Sequence, residues 1–261
     1  MRIATWNVNS VRARLPRVTP WLADGGPDVV GLQETKCVDA EFPREVFEAA
    51  GYRVAVFGQK TWNGVAIAAK GELTDVSTGL PGEGPDDQKR VIEATVDGVR
   101  VINLYVPNGE APGSDKFAYK MGWLETLRTH IADRYSPDDP IVMVGDFNIA
   151  PDDRDIHDPV AKRGTIHVTD EERDALSRLK DWGFVDAHRL VTNRRGVYTW
   201  WDFRGAMFEK GKGYRIDLVL VTEPMAKRLE DVRVDLAARA GEKPSDHAPV
   251  IAKFESGSTE A

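Results

Sequence analysis

The stretch Ile141-Val142-Met143-Val144-Gly145-Asp146-Phe147-Asn148 constrains the fold more than any other. Four consecutive apolar residues, β-branched ones among them, read as a strand buried on both faces. The run ends at Gly145, and Asp146 and Asn148 follow at alternate positions. On extended chain, side chains two apart share a face, so both can point at one spot. That spot is the carboxyl end of a buried strand, where open α/β sheets carry their chemistry. Taken alone, the pattern is more often a strand leaving the core through an Asx turn, so the rest of the chain has to decide.

Strand, then short polar groups, is a pattern that recurs. Arg2-Ile3-Ala4-Thr5-Trp6 is followed by Asn7 and Asn9, and Val29-Val30-Gly31-Leu32-Gln33 by Glu34. Leu15, Val18 and Leu22 lie at helical spacing between those strands. Residues 52–56 and 65–69 are strand-like. Arg90–Val96 and Val99–Tyr105 form a hairpin across the turn dipeptide Asp97-Gly98, and Pro107-Asn108-Gly109 breaks the chain after Tyr105. A helix is expected from Asp115 to Tyr135, with Phe117, Met121, Leu124, Leu127 and Ile131 as its apolar stripe. Thr169 and Glu172 have capping-box spacing ahead of a second helix. Residues 197–201, 216–221, 232–234 and 250–254 supply further strands. No linker divides the chain. The expectation is one α/β domain over 1–255, two stacked mixed sheets with helices outside, and a flexible tail at 256–261.

The 261 residues are 41% hydrophobic and 30% charged, ordinary for a protein with a sizeable core. No apolar run approaches the ~20 residues of a membrane span. Met1-Arg2 leads straight into a strand, so no signal peptide is expected. Cys37 is the single cysteine, which suits a reducing cytoplasm. The net charge of -7 weighs mildly against a nucleic-acid partner, but a metal enzyme must concentrate carboxylates, and a local basic rim can still steer DNA.

Six polar sites sit at strand ends or tight turns: Asn7, Glu34, Tyr105 to Asn108, Asp146 with Asn148, Asp217, and Asp246-His247. Asp217 heads an apolar strand, where a charge is costly unless paired, and a histidine is its expected partner. Asp246 and His247 adjoin each other between Pro244 and Pro249, which requires a kinked backbone for both to face one site. Glu, Asp and Asn offer hard oxygen ligands suited to Mg²⁺. An Asp-oriented His can bind or protonate phosphate oxygens, and a carboxylate held by Asn can align or deprotonate water. There is no Cys/His zinc cluster, no P-loop and no nucleophile elbow. Metal-assisted phosphoester hydrolysis is the chemistry that remains.

At these residues the sequence resembles the exonuclease III and apurinic/apyrimidinic endonuclease family of the exonuclease–endonuclease–phosphatase superfamily. The matching stretches are Thr5-Trp6-Asn7-Val8-Asn9-Ser10, Leu32-Gln33-Glu34-Thr35-Lys36, Trp62-Asn63-Gly64-Val65-Ala66-Ile67 and Leu104-Tyr105-Val106-Pro107-Asn108-Gly109. They continue with Gly145-Asp146-Phe147-Asn148, Tyr198-Thr199-Trp200-Trp201-Asp202, Arg215-Ile216-Asp217 and Ser245-Asp246-His247. The resemblance implies a four-layer α/β sandwich and a monomeric, Mg²⁺-dependent repair hydrolase, Mn²⁺ substituting. Its substrate would be double-stranded DNA with abasic sites, nicks or 3′ ends.

Carried over by position, Glu34 would be the principal metal ligand with Asn7 and Asp246 near it. Asp146 would activate water with help from Asn148, and both belong to the expected metal set, as does His247. His247, held by Asp217, would stabilise charge on the phosphate. Tyr105 would contact phosphate or leaving group, with Asn108 beside it. Trp200, Tyr214 and Ile216 would line a pocket for the sugar at the lesion. Arg12, Arg14, Lys36, Lys60, Arg90, Lys116, Lys120 and the loop 204–212 would face DNA, with Arg204, Met207 and Phe208 in reach of the duplex. His167 would narrow the sugar pocket and favour 3′-end processing over internal incision, unless its ring points away against the Thr169 helix. Two other readings share the architecture: a phosphatase of lipid or inositol phosphates, and a non-catalytic DNA-binding module. The first lacks a reason for the aromatic 198–201 stretch and the basic loop, and the second a reason for keeping Glu34, Asp146, Asn148, Asp217 and His247 together.

Overall fold

The computed structural model describes residues 1–82 and 88–255, and the expected tail lies outside the described residues. The strands are β1 (Arg2–Asn7), β2 (Val29–Gln33), β3 (Arg53–Phe57), β4 (Val65–Ala69), β5 (Thr74–Thr78), β6 (Val91–Val96), β7 (Val99–Tyr105), β8 (Ile141–Asp146), β9 (Val185–Asp186), β10 (Asp217–Val221), β11 (Leu229–Val234) and β12 (Val250–Phe254). The helices are α1 (Val11–Ala23), α2 (Arg44–Ala49), α3 (Asp115–Arg134), α4 (Pro159–Lys162), α5 (Asp170–Asp181), α6 (Ala187–Val191), α7 (Glu223–Ala226) and α8 (Leu236–Arg239).

Two six-stranded sheets form, ordered β11-β12-β1-β2-β4-β3 and β5-β6-β7-β8-β10-β9. Each has the same centre. In the first, β1 and β2 run parallel around the α1 crossover, with β12 and β4 antiparallel on either side. In the second, β7 and β8 run parallel around α3, flanked by antiparallel β6 and β10. Side-chain alternation makes four layers of this. Ile3, Val29, Val65 and Ile67 meet Val101, Val142, Val144 and Val219 between the sheets. Ile102, Leu104, Ile141 and Met143 turn outward onto Leu124, Leu127 and Ile131 of α3 and Leu176 and Leu179 of α5. Ala4, Trp6, Val30 and Leu32 turn outward onto the α1 and α2 side.

The β6–β7 hairpin turns at Asp97 and Gly98, both with positive φ, 49° and 76°, the geometry of the tight primed turn. Helix α5 carries the complete Thr169–Glu172 capping box. A polar cluster crosses the apolar layer between the sheets. The Asn103 amide on β7 donates to the Leu32 and Ala66 carbonyls, at 2.9 Å each, and accepts from Gln33 Nε2 at 2.6 Å. Gly31 makes room for it, since a Cβ there would lie 2.7 Å from the Asn103 side chain.

Residues 197–201 are not a strand. Trp200 makes single bridges to Tyr214 and His247, and the chain turns away at Asp202. Among the described residues, no helix is long and apolar enough to cross a membrane.

Candidate active site

Because both sheets point the ends of their parallel central strands the same way, β1, β2, β7 and β8 deliver Asn7, Glu34, Tyr105 and Asp146 to one rim. The Asn7 amide donates to Glu34 Oε1 at 2.8 Å and to Asp146 Oδ2 at 2.9 Å, joining the first sheet to the second. Its oxygen accepts from the Asn9 N–H at 3.0 Å, so Asn7 bridges two carboxylates through its amide nitrogen. Asp217 heads β10 opposite Asp146 and accepts from His247 Nδ1 at 2.9 and 3.1 Å. His247 Nε2 then faces Asp146 Oδ2 at 3.7 Å. The kink expected at 246–247 exists. Ser245 Oγ donates to the Asn7 carbonyl at 2.6 Å and accepts from the His247 N–H at 3.2 Å.

Asp146 and Asn148 do not alternate on extended chain. Asn148 has φ 50°, and its N–H donates to Asp146 Oδ1 at 2.9 Å, so the turn and the site are the same object. The Asn148 amide donates to the Val106 carbonyl at 3.0 Å and accepts from Asn108 at 3.4 Å. Glu34 likewise has φ 51°. Left-handed backbone at residues other than glycine is disfavoured and concentrates at functional sites.

The electrostatics are lopsided. Burial, Asp217 and Glu34 push the Asp146 carboxyl up to about 7, against the pull of His247 and Asn7. Burial would lower His247, yet Asp217 and Asp146 raise it to about 10. Burial, Glu34 and Asp146 push the Tyr105 phenol well up, and its hydroxyl hydrogen-bonds Glu34. Asp246 is linked to this group through Asn9, which donates to it at 2.9 Å, and through Trp200 Nε1 at 3.0 Å. Burial would raise its carboxyl, but His247, Asn9 and Trp200 hold it below the usual range. Lys36 pairs with Glu34 Oε2 at 2.8 Å. Glu34, Asp146 and His247 offer ligand atoms within 4.8 Å of one another. Hard oxygen donors with excess negative charge, beside an opening to solvent at Glu34, fit a divalent cation.

His167 lies on one flank. Its Nδ1 donates to the Asn148 carbonyl at 2.7 Å, and Asn108 Nδ2 approaches its Nε2 at 3.5 Å. Burial and the Lys120 charge lower its pKa to about 4, so the ring is neutral. Trp200 and Tyr214 stand 6.4 and 6.3 Å away. The ring therefore faces the aromatic flank of the site and not the Thr169 helix. Ile216 is buried beneath that flank with Ala150, Ile156, Val168 and Tyr214, with almost no surface of its own.

Three expected rim contacts are corrected. Lys120 is fully buried in an ion pair with Glu172. Arg90 is buried, its guanidinium 4.6 Å over the Tyr105 ring and its Nη1 donating to the Tyr105 carbonyl at 3.0 Å. Phe208 packs edge-on against Trp201 at 5.0 Å and under Arg239 at 4.7 Å, so it anchors its loop and does not reach outward. Arg204, Lys60 and Lys116 are exposed as expected. Lys36, expected on the DNA rim, pairs with Glu34, and the residues missed are Thr199 and Ser245. Thr199 Oγ1 accepts from the N–H groups of both Ile216 and Asp217, at 3.1 Å each. Their only signal was membership of the matching stretches.

With the fold and site in view, the class is settled: the Endonuclease/Exonuclease/phosphatase family model matches residues 4–247, and the chain belongs to that family. Within it the similarity is to exonuclease III-type enzymes. The exodeoxyribonuclease III of Haemophilus influenzae is 38% identical over 97% of this chain and 100% of its own length. Among solved structures, the 3′ phosphatase NExo from Neisseria, bound to a product DNA hairpin, is 47% identical with a TM-score of 0.94, covering 98% of this chain and 100% of that one. An AP endonuclease from Archaeoglobus fulgidus is 40% identical with a TM-score of 0.95, over the same shares of the two chains.

Proposed function

We propose that the protein is a Mg²⁺-dependent DNA repair hydrolase. It acts as a monomer on duplex DNA, removing 3′-phosphates and 3′-terminal nucleotides in preference to cutting at internal abasic sites. The observation that carries the reading is the single cluster in which Asp217-held His247, Asp146 and Glu34 converge at the junction of the two sheets. Glu34 and Asp246 would hold the cation, which when bound supplies positive charge to the phosphate oxygens. Asp146, whose proton affinity is raised by burial, takes a proton from the attacking water. His247, kept cationic by Asp217, steadies the charge that builds on the phosphate. Tyr105 and Asn108 contact the phosphate from the second sheet.

The preference for ends rests on His167. An internal abasic sugar must leave the helix to reach the chemistry, and the imidazole occupies the flank between Asn148 and the Trp200–Tyr214 pair. A 3′ end has no downstream strand to bend. The test is a parallel assay of wild type and His167→Gly on duplexes with a 3′-phosphate nick, a recessed 3′ end and an internal abasic site. A selective gain of abasic incision in the variant is expected. Strong wild-type incision, unchanged by the substitution, overturns the preference.

A further inference from the structure

We infer that the buried Lys120–Glu172 pair is a positioning device for the active site, holding in register the two loops that bring Asn108 and Asn148 to the phosphate. The inference rests on the function proposed above. Lys120 and Glu172 are both fully buried, on α3 and on the first turn of α5, and neither bonds to the side chain of Glu34, Asp146, Asp217 or His247. Beyond its ion pair, the Lys120 ammonium donates to the Asn148 carbonyl at 2.7 Å and to the Asn108 carbonyl at 3.3 Å. One cation thus ties together the loop after β7 and the loop after β8, at the residue in each that faces substrate.

Glu172 extends the tie to a third segment. Its Oε1 accepts from the His167 N–H at 3.1 Å, and its Oε2 accepts from the N–H and hydroxyl of Thr169 at 3.1 and 2.8 Å. His167 closes the circuit, because its Nδ1 donates to the same Asn148 carbonyl at 2.7 Å. The lysine stem is used as well. Gly109, at φ 88°, lies so close that a Cβ there would be 3.0 Å from Lys120 Cδ.

Helix capping needs none of this. A Thr–Glu capping box closes at a helix start without a lysine, and a buried ion pair is a poor source of stability, its desolvation offsetting much of its attraction. What the pair adds is direction. Asn148 and His167 sit in left-handed backbone, φ 50° and 72°, which side-chain packing alone does not enforce. A preorganised site depends on such support, since a displacement of about 1 Å can cost on the order of a hundredfold in rate.

The test compares Glu172→Gln and the double variant Lys120→Met/Glu172→Gln with wild type. Glu93→Gln, which disturbs a buried charge remote from the site, serves as the stability control. Steady-state kinetics on a 3′-phosphate nick are measured well below each melting temperature. The double variant should lose about tenfold or more in kcat with KM within about threefold of wild type, while Glu93→Gln keeps its kcat. Amide hydrogen exchange over 106–109 and 147–150 should quicken in the double variant while the strands stay protected. A folded double variant with kcat within about twofold of wild type overturns the inference. If the double variant does not fold, Glu172→Gln decides alone, with a kcat loss of about threefold expected and none overturning it. A wild type inactive on every 3′ end would defeat the proposed function instead. The exchange measurement would then decide, unchanged loop protection counting against the pair.

Discussion

Arg215 and Asp217 are two residues apart and both almost fully buried, yet they belong to clusters of opposite kind. Arg215 donates to both oxygens of Asp155, at 2.6 and 3.1 Å, and to both of Asp186, at 3.2 and 2.7 Å, and Arg189 also pairs with Asp155. Two guanidinium groups thus meet two carboxylates. On the other side, the carboxylates of Asp217, Asp146, Glu34 and Asp246 face the His247 imidazolium and Lys36. The titration of the two sides follows. Burial would raise Asp186, but Arg215 holds its carboxyl below the usual range. Burial raises Asp146, and its neighbours leave it high. A balanced buried cluster is an anchor. An unbalanced one, at a strand end beside solvent, suits a cation and a proton, and under the proposed function its excess negative charge is what the chemistry uses.

The strongest way to break this contrast is to withhold the cation. EDTA should reduce hydrolysis of a 3′-phosphate nick to background, with Mg²⁺ or Mn²⁺ restoring it. Adding the ion to EDTA-treated protein should also raise the melting temperature, because binding to the folded state alone stabilises it. Full hydrolysis in EDTA would remove the metal from the account.

Next comes a matched pair of substitutions. Asp146→Asn keeps shape and removes the proton acceptor, so kcat should fall by about 10²–10⁴ while DNA affinity and melting temperature hold or rise. Asp155→Asn leaves Arg215 and Arg189 short of charge in the interior and should cost about 3–5 kcal/mol of stability, with kcat of the folded fraction little changed. Chemical denaturation and single-turnover kinetics on both variants read this directly. An Asp146→Asn protein within about threefold of wild-type activity would show that the base lies elsewhere.

The legible and illegible parts of the chain divide along a similar line. Periodicity located β8, α3 and the Asp97-Gly98 hairpin because each is specified by residues near in sequence. The partner of Asp217 was foreseeable from the cost of burying a lone charge, and His247 met it. Lys120 was not legible, because lysines are rarely fully buried unless paired and its partner Glu172 lies 52 residues away. Arg90 was misplaced for the same reason, its stack on Tyr105 being a contact across strands. The 197–201 stretch has strand composition, but Trp200 exchanges both backbone hydrogen bonds with Tyr214, at 2.9 and 3.0 Å, in a single bridge. The left-handed turn at Asn148 was open to reading as an Asx turn, whereas the one at Glu34 carries no compositional mark.

The smallest expected effect sharpens the balanced side of the contrast. Burial would raise Glu93, but hydrogen bonds from His130, Tyr135 and Arg100 lower its carboxyl from 4.5 to about 2. Its His130 contact is 2.7 Å. A carboxyl whose pKa is depressed by folding contributes stability that is full above its unfolded value and fades as pH drops towards its folded one. The contribution is on the order of 3 kcal/mol at neutral pH, and it should disappear between about pH 5 and pH 2. Melting curves of wild type and Glu93→Gln should therefore differ most near neutrality and draw together over that window. Hydrolysis of a 3′-phosphate nick at neutral pH should stay the same in the two proteins, since Glu93 lies on β6 away from the strand ends that carry the site. A gap in melting temperature that persists unchanged to pH 2 would mean the cluster stabilises by packing and not by charge.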